Sequence, residues 1–285
     1  MSKENIFSGL LGDIVAAAEK NNPPEDEDYL GDDGLMCCGK CHTHKQRKLK
    51  ALGKEMIVPT MCHCASERLE NTKKQEEDER KSIRRRQIRE SAFSSSNTRK
   101  CCFDADETYN TKISAFMRKY ARSFDPSESS GLILYGGFGT GKSFYAACIV
   151  NAVIDRNYTA KFTSISEIEA ELWGANDKKA VYDYFNSFDL LVLDDFSAER
   201  NTPYMQEIIY NVIDNRYRSK KPLIITTNLT VDELQFPKET WQKRNFSRIL
   251  ESSIPFAVHG KDKRQEKGMS SVRERIEKIM SFSES

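Results

Sequence analysis

The chain has 285 residues, of which 38% are hydrophobic and 31% charged, and its formal net charge is +1 at pH 7. This length allows a substantial hydrophobic core, so disulfide bonds are not needed to hold the fold. No stretch approaches the ~18 consecutive apolar residues of a membrane span, and the net charge does not mark a nucleic-acid-binding protein. The N-terminus lacks an apolar secretory segment, so we expect a cytoplasmic protein whose clustered cysteines bind metal.

Composition divides the chain into four predicted regions. They are an N-terminal helix with an acidic mobile segment, a cysteine-rich module, a charged helix with its linker, and an α/β domain, at residues 1–34, 35–65, 66–100 and 101–285. The N-terminal helix is predicted at residues 6–18, before two prolines that end it. Residues 91–98 are rich in serine, which is typical of a flexible linker.

The last region predicts a parallel sheet with helices on both faces. Short apolar runs, typical of buried parallel strands, alternate with segments whose apolar residues recur at helical spacing. The predicted strands are residues 132–135, 160–163, 190–193, 223–227 and 254–258. The predicted helices are residues 108–124, 142–156, 166–173, 203–218 and 241–250. Ser166 is expected to cap the third of these helices, because Glu169 follows it three residues later.

A glycine-rich loop follows the first predicted strand of this domain and opens a helix. It fits the pattern G-x-x-x-x-G-K-S and ends in Lys142 and Ser143. Glycines let backbone N–H groups converge on phosphate oxygens, and the helix N-terminus adds partial positive charge. We expect Lys142 to reach the β- and γ-phosphates of ATP and the Ser143 hydroxyl to ligate Mg²⁺. The predicted nucleotide contacts are Gly136, Gly137, Phe138, Gly139, Thr140, Gly141, Lys142, Ser143 and Phe144.

Two carboxylates, Asp194 and Asp195, follow the apolar strand at residues 190–193. In a parallel sheet they would lie at the same edge as the glycine-rich loop, where Asp194 can hold Mg²⁺ and Asp195 can orient or deprotonate the attacking water. Asn228 ends the next strand and is expected beside them, in reach of the γ-phosphate or that water. An ordinary turn residue is the alternative for Asn228. Together with the loop, the acid pair predicts ATP hydrolysis.

The cysteine-rich module contains five of the eight cysteines. Cys38 and Cys41 form a C-x₂-C pair, and Cys62 and Cys64 form a C-x-C pair, a spacing that can close a tetrahedral Zn²⁺ site. Bound zinc would also explain how a segment with so few aliphatic residues folds. A Cys₃His set stays open, because other candidate ligands lie nearby: Cys37, His42, His44 and His63. Cys148 is expected to pack in the core.

The motifs around residues 190–196, 208–217 and 221–229 resemble those of the AAA+ ATPases of the DnaC/DnaI helicase-loader family. The ATP-binding helpers of some transposases share these motifs. The resemblance covers about residues 116–269 and implies a five-stranded AAA+ sheet in which the loop, the acid pair and Asn228 have the roles given above. Many AAA+ proteins have Asp-Glu where this chain has two aspartates, and the shorter second carboxylate implies slow hydrolysis that suits a switch.

The resemblance also implies an ATP site that is shared between subunits. Residues 243–251 resemble the helix that carries the arginine finger, and Arg248 matches the finger position best, with Arg244 one turn before it. A finger reaches the γ-phosphate bound by a neighbouring subunit, which implies self-association. Arg264 is similar to the sensor arginine near the end of the core. A surface arginine remains the alternative for Arg248, and a solvated loop for the segment around Arg264.

The family's function would make this chain an ATP-dependent loader of a replicative hexameric DNA helicase onto single-stranded DNA. Loaders of the DnaI type carry an N-terminal zinc module that contacts the helicase, and the cysteine-rich module resembles it. The basic stretch at residues 81–89 is a candidate DNA contact, although a charge run is usually a solvated face, and Phe162 is a candidate for base stacking. A transposase helper and a small-molecule kinase are the alternatives, the kinase without an acceptor-substrate signature.

Overall fold

A computed structural model describes residues 20, 22–51, 54–106, 112–196 and 202–260. The chain divides into two compact units, Met1–Ser82 and Ile83–Ser285. The helix predicted at residues 6–18 and the sensor arginine predicted at Arg264 lie outside the described residues. Within those residues, no helix has both the length and the apolar character that crossing a membrane requires.

The first unit contains two small antiparallel sheets. Strand β1 (Tyr29–Leu30) pairs with β2 (Met36–Cys37), and β3 (Gln46–Ala51) pairs with β4 (Lys54–Pro59). Helix α1 (His63–Ala92) follows, and the boundary between the two units falls inside it. Every residue from 70 to 84 of this helix is exposed, so these turns contact solvent on all sides.

The acidic segment before the cysteines contains a buried ion pair. Asp28 forms an ion pair with Lys45, in which Nζ lies 2.5 Å from Oδ2 and the side chains are 4% and 6% exposed. The same carboxylate accepts hydrogen bonds from the backbone N–H groups of Glu25 and Gly39. A buried carboxylate with three such donors fixes the chain around it, because each bond replaces water that the charge has lost.

The second unit is built on a five-stranded sheet of order β6-β7-β8-β5-β9 in which every neighbouring pair is parallel. This confirms the predicted α/β architecture. The strands are β5 (Gly131–Tyr135), β6 (Ala160–Thr163), β7 (Leu190–Phe196), β8 (Leu223–Thr227) and β9 (Ser253–Ala257). Because β5, β8 and β7 are adjacent, their carboxyl ends meet at one edge of the sheet.

Helices cover both faces of this sheet, as predicted. Successive strand residues point to opposite faces, so Leu132 and Leu134 join one buried core whereas Ile133 joins the other. The helices are α2 (Ser96–Arg99), α3 (Lys112–Ser123), α4 (Lys142–Asp155), α5 (Ile165–Trp173), α6 (Lys178–Ser187), α7 (Pro203–Ser219), α8 (Val231–Gln235) and α9 (Thr240–Ser252). Helices α3 and α4 contribute to the first core and α5, α6, α7 and α9 to the second. Cys148 on α4 is fully buried in the first core, which confirms its expected packing role.

The N-cap of α5 differs from the predicted one. Ser164, and not Ser166, accepts the hydrogen bond from the backbone N–H of Glu167, at 3.1 Å. Both serines have a glutamate three residues later, so the capping pattern alone cannot separate them. The helix starts at Ile165 because that side chain is completely buried in the core, and burial outweighs the local pattern.

The start of the serine-rich segment packs into the hydrophobic core of the second unit. Phe93 is 2% exposed, and its ring centroid lies 5.7 Å from that of Phe162. This contact buries Phe162, so its ring is not available to stack on bases.

Just before the serine-rich segment, Arg89 donates hydrogen bonds to Asp155 and Asn151 on α4. Part of the basic stretch at residues 81–89 therefore anchors α1 within the second unit.

Candidate functional site

The glycine-rich loop connects β5 to α4 and needs glycine at two positions for different reasons. A Cβ atom on Gly136 would lie 2.3 Å from the carbonyl oxygen of Val258, so only glycine fits this close approach. Gly141 has a φ of 99° and forms the N-cap of α4, a left-handed conformation that side chains disfavour. The loop therefore brings its backbone to the start of α4 without steric obstruction, as phosphate binding requires.

Lys142 holds the loop against the end of β8. Its ammonium nitrogen donates hydrogen bonds to the carbonyl oxygens of Gly136 and Gly137, at 2.9 and 2.7 Å, and to Oδ1 of Asn228, at 2.8 Å. The lysine is 6% exposed, whereas Asn228 is exposed at the sheet edge. The geometry thus places a buried cation and an amide side chain side by side at the mouth of the loop.

Asp194 lies between the loop and β8. Its Oδ1 accepts a hydrogen bond from the Thr226 hydroxyl at 2.6 Å. Burial raises the pKa of Asp194, while the hydroxyls of Thr226 and Ser143 act in the opposite direction by bonding to the carboxylate. Carboxylate and hydroxyl oxygens are ligands that Mg²⁺ prefers, so Ser143 and Asp194, which contact each other, fit a magnesium ion.

Asp195 has a different environment from its neighbour. The pairing of β7 with β8 shifts its register between Leu193 and Phe196, and Asp195 adopts a φ of 51° within that irregularity. Its side chain is exposed, and its backbone N–H donates to the Thr226 hydroxyl at 2.9 Å. A bulge of this kind redirects side chains near functional sites. One carboxylate therefore faces Ser143 and the other faces solvent, an arrangement that suits two separate roles.

The aromatic residues of the predicted loop contacts lie in different settings. Phe138 is 73% exposed at the tip of the loop. Phe144 is partly buried and packs edge-on against Tyr145, with ring centroids 5.5 Å apart. Thr140 uses its hydroxyl to bond the carbonyl oxygen of Gly137, at 3.0 Å. Of the three side chains, only Phe138 projects freely into solvent.

Arg248 does not join this group of residues. It lies on α9, where its Nη2 is 2.9 Å from Oδ1 of Asp214 on α7. Its guanidinium carbon also lies 5.2 and 5.7 Å from the ring centroids of Tyr210 and Tyr217. Arg244, one turn earlier, is exposed and lies over Tyr210. Both arginines are thus positioned on the α7–α9 surface rather than at the loop of the same chain.

The predicted zinc ligands come together in the first unit. The Sγ atoms of Cys38, Cys41, Cys62 and Cys64 all lie within 4.8 Å of one another. Cys64 Sγ is 3.5 Å from each of the other three sulfurs. Zn–S bonds of about 2.3 Å in a tetrahedron place sulfurs ~3.8 Å apart, so the four thiols fit a zinc ion.

The alternative zinc ligands contact other groups. Cys37 points its thiol to the carbonyl oxygen of Leu35. His42 bonds the Tyr29 hydroxyl, His44 bonds Asp33, and His63 lies near Glu67. Among the described residues, the geometry therefore favours the Cys₄ set over a Cys₃His set.

The thiols of this cluster differ in acidity. A hydrogen bond from the Thr43 hydroxyl, with help from the backbone N–H of Cys64, lowers the pKa of Cys41 to about 5. The three neighbouring thiols raise the pKa of Cys64 to about 12. Metal ligation requires thiolates, which repel one another when they lie this close. A cation at the centre of the four sulfurs would stabilise these negative charges.

Two residues of these surroundings were not assigned a role from the sequence motifs. Thr226 sits inside a buried strand, where a β-branched residue is ordinary, and its only signal was its position next to the acid-bearing strand. Asp214 lies on the amphipathic helix α7, where an acid is usually solvated. Its burial beside Arg248 becomes visible only once α7 and α9 are packed together.

Comparison with known proteins finds a matching family model and several proteins of similar sequence. A family model described as IstB-like ATP binding protein matches residues 60–267. The replicative helicase loader DnaI of Bacillus subtilis (strain 168) is 27% identical over 165 residues, which cover 53% of this chain and 52% of that protein. An ATP-binding protein in an insertion sequence of Mycobacterium tuberculosis is 28% identical over 195 residues, which cover 63% of this chain and 76% of that protein. The replicative helicase loader DnaC of Escherichia coli K12 is 29% identical over 123 residues, 41% of this chain and 49% of that protein.

Solved structures share the fold. A crystal structure of DnaI superposes with a TM-score of 0.52 at 21% identity, covering 60% of this chain and 94% of that chain. The crystal structure of the DnaC helicase loader gives a TM-score of 0.50 at 21% identity, covering 58% of this chain and all of that chain. The chain spans about half the length of the DnaI and DnaC loaders that it matches in sequence. The predicted resemblance to this group of proteins is confirmed.

Proposed function

The chain belongs to the family of IstB-like ATP-binding proteins, and from this premise we propose that it is an ATPase that loads a replicative DNA helicase onto single-stranded DNA. The observation that carries the ATPase part is the meeting of Lys142, Asp194 and Asn228 at the carboxyl ends of three adjacent strands. Phosphoryl transfer depends mainly on positioning and charge stabilisation, and these side chains supply both.

The roles follow from the surroundings of each side chain. Lys142 binds the β- and γ-phosphates, and Ser143 and Asp194 hold Mg²⁺, which neutralises phosphate charge when bound. Asp195, exposed beside them, orients or deprotonates the attacking water. Asn228 hydrogen-bonds the γ-phosphate or that water. The short side chain of Asp195 makes hydrolysis slow. Slow hydrolysis suits a conformational switch whose state with bound ATP differs from its state after turnover.

Assembly between subunits completes the proposed site. Arg248 is on a surface helix, away from the loop of its own chain, which supports a role toward a neighbouring subunit. There it would stabilise the charge that develops on the γ-phosphate, and Arg264 would act as the sensor arginine. Hydrolysis would then depend on self-association through the ATP sites.

The cysteine cluster supports the helicase as partner. The family match begins at residue 60, so Cys38 and Cys41 belong to a segment that precedes it. A Zn²⁺-stabilised unit in front of an ATPase domain is the arrangement that the resemblance to DnaI-type loaders implies, with the unit contacting a hexameric helicase. The first relative above is itself named a replicative helicase loader.

A second candidate function is an ATP-dependent helper of a transposase. The insertion-sequence relative supports it, because this chain covers 76% of that protein compared with 52% of DnaI. Such a helper would bind DNA and a transposase and would need no helicase contact. The cysteine-rich module is therefore the part of the chain whose role differs between the two proposals.

A pull-down with the full chain tests this choice. A loader retains a replicative hexameric helicase and increases its transfer to a single-stranded circle in the presence of ATP. The double variant Cys38→Ser/Cys41→Ser should lose the helicase but still bind ATP, since the ATP site lies in the other unit. Retention of a transposase but no helicase by the zinc-loaded chain would favour the second candidate. Salt-dependent binding to an oligonucleotide tests the DNA contact separately.

A further inference from the structure

A single hydroxyl group contacts both members of the acid pair. Thr226 lies in β8 and is completely buried. Its Oγ1 donates to Oδ1 of Asp194 at 2.6 Å and accepts from the backbone N–H of Asp195 at 2.9 Å. The first distance is that of a charge-assisted O–H···O⁻ bond. The two aspartates are thus fixed to the neighbouring strand through one atom.

We propose that Thr226 is a positioning residue for ATP hydrolysis, which holds Asp194 toward the loop and Asp195 toward the reacting phosphate through one hydroxyl group. The inference rests on the proposed ATPase activity and adds a residue that the motifs do not include. Thr226 touches neither nucleotide nor water in this role and acts only through the two aspartates.

The bond to Asp195 stabilises an unusual backbone conformation. Asp195 has a φ of 51°, in the left-handed region that non-glycine residues seldom adopt. Conformations of this kind persist only where surrounding contacts determine them. The N–H of Asp195 finds its acceptor in Thr226 rather than in the regular ladder, because the register shifts at this point. Without the hydroxyl, the turn that aims the Asp195 side chain loses this contact.

The bond to Asp194 fixes a carboxylate that is shielded from water. A shielded carboxylate needs hydrogen-bond donors in place of the water it has lost, and here Thr226 supplies one of them. The carboxylate then stays in contact with Ser143, the other residue that fits Mg²⁺. Residues that orient a metal ligand in this way typically change activity or metal affinity by about 10–100-fold when they are removed.

The next residue provides a matched control. Thr227 is also completely buried in β8. Its hydroxyl donates to the carbonyl oxygen of Phe196 at 2.8 Å and accepts from the backbone N–H of Leu229 at 3.1 Å. Both threonines therefore make one donor and one acceptor contact in equal burial, but only Thr226 contacts a carboxylate.

The test compares Thr226→Val, Thr226→Ser and Thr227→Val in the full chain. Thr226→Val should lower kcat by about 10–100-fold and leave the Kd of nucleotide measured in EDTA unchanged. Thr226→Ser keeps the hydroxyl and should restore most of the rate. Thr227→Val should keep kcat, although it removes as many hydrogen bonds. Should Thr226→Val not fold, Thr226→Ala makes the same comparison.

Hydrogen exchange gives a readout that needs neither metal nor activity. In the nucleotide-free chain, the Asp195 amide should exchange faster in Thr226→Val, and the Leu229 amide faster in Thr227→Val. Equal losses of kcat in the two valine variants, or an Asp195 amide that stays protected in Thr226→Val, would overturn the proposal. A wild-type chain that binds ATP without hydrolysing it would instead contradict the proposed function, and the Asp195 amide would still decide whether Thr226 holds this turn.

Discussion

The ammonium group of Lys142 lies 2.8 Å from the amide oxygen of Asn228, so the glycine-rich loop and the end of β8 share a direct contact. The amide oxygen faces the cation, and the amide nitrogen is left to donate to a phosphate oxygen or a water. Any displacement of the Lys142 ammonium group toward a phosphate would therefore alter its contact with Asn228, the residue that follows β8. This contact links the glycine-rich loop to the residue that follows the central strand of the sheet.

Replacing Asn228 by alanine should separate binding from hydrolysis. Lys142 keeps its two contacts to loop carbonyl oxygens. The free energy of ATP binding should therefore weaken by no more than the ~1.5–3 kcal/mol of one hydrogen bond to a charged group. The rate of hydrolysis should fall more strongly, since the amide is lost where the γ-phosphate reacts. Lys142→Ala is the reference, and we expect it to abolish binding in an equilibrium titration. Equal binding defects in the two variants would mean that Asn228 only supports the lysine.

Replacing Asp195 by asparagine should leave ATP binding intact and abolish turnover. The Asp195 side chain is exposed, so replacing its carboxylate by an amide should not disturb the nucleotide contacts. Asp195→Glu restores the residue that many AAA+ proteins have and should keep or raise the rate, because the longer side chain reaches further. Phosphate release and nucleotide titration measure the two effects. If turnover survives in Asp195→Asn, this residue is not the base.

The strands, the loop and the fold class could be predicted from the sequence because each depends on local pattern. Residues 160–163 and 223–227 were predicted as strands with the bounds that the structure gives, since buried parallel strands are short, uninterrupted apolar runs. The cap at Ser164 and the burial of Phe93 could not be predicted in this way. Both are decided by which side chains the core accepts, and that depends on residues distant in sequence.

The same limit applies to the site. Lys142, Ser143 and the acid pair stand in motifs whose spacing encodes their roles. The role of Thr226 depends on the register between β7 and β8, and that of Asp214 on the packing of α7 against α9. Register and helix packing are long-range properties, so a single sequence carries only weak signals for them.

If zinc binds the four cysteines, the folding of the first unit should depend on the metal. We expect one zinc per chain by elemental analysis, and chelation should unfold the first unit and leave the ATPase unit folded, because the ligands all lie within the first. Cys64→Ser should release the metal, since this sulfur contacts the other three. Cys37→Ser is the matched control and should retain it. A carefully purified sample without zinc would contradict this prediction.

Phe93 tests whether the serine-rich segment belongs to the ATPase unit. Phe93→Ala removes a ring that is 2% exposed and should lower the free energy of unfolding of that unit by about 3–5 kcal/mol. Phe138→Ala removes the same side chain at a position that is 73% exposed and should have almost no effect. Chemical denaturation followed at the second unit measures both. Equal stability of the two variants would show that the segment is a free linker after all.

Arg248 can be tested as an arginine finger because Asp214 has a second partner. Arg248 and Arg218 both pair with this carboxylate, at 2.9 and 2.7 Å, and their side chains are 20% and 72% exposed. Removing Arg248 therefore leaves Asp214 paired, which limits the cost in stability. A finger that acts on a neighbouring subunit contributes about 10³–10⁵-fold to kcat, so Arg248→Ala should lose hydrolysis and keep ATP binding.

Mixing variants shows whether Arg248 acts between subunits. Neither Arg248→Ala nor Asp195→Asn should be active alone. In a mixture of the two, the intact acid pair of an Arg248→Ala subunit can meet the intact Arg248 of a neighbouring Asp195→Asn subunit. Part of the activity should therefore return. Arg218→Ala, which removes the other partner of Asp214, is the matched control and should remain active by itself. If Arg248 only stabilises the contact between α7 and α9, mixing will restore none of the activity that Arg248→Ala loses.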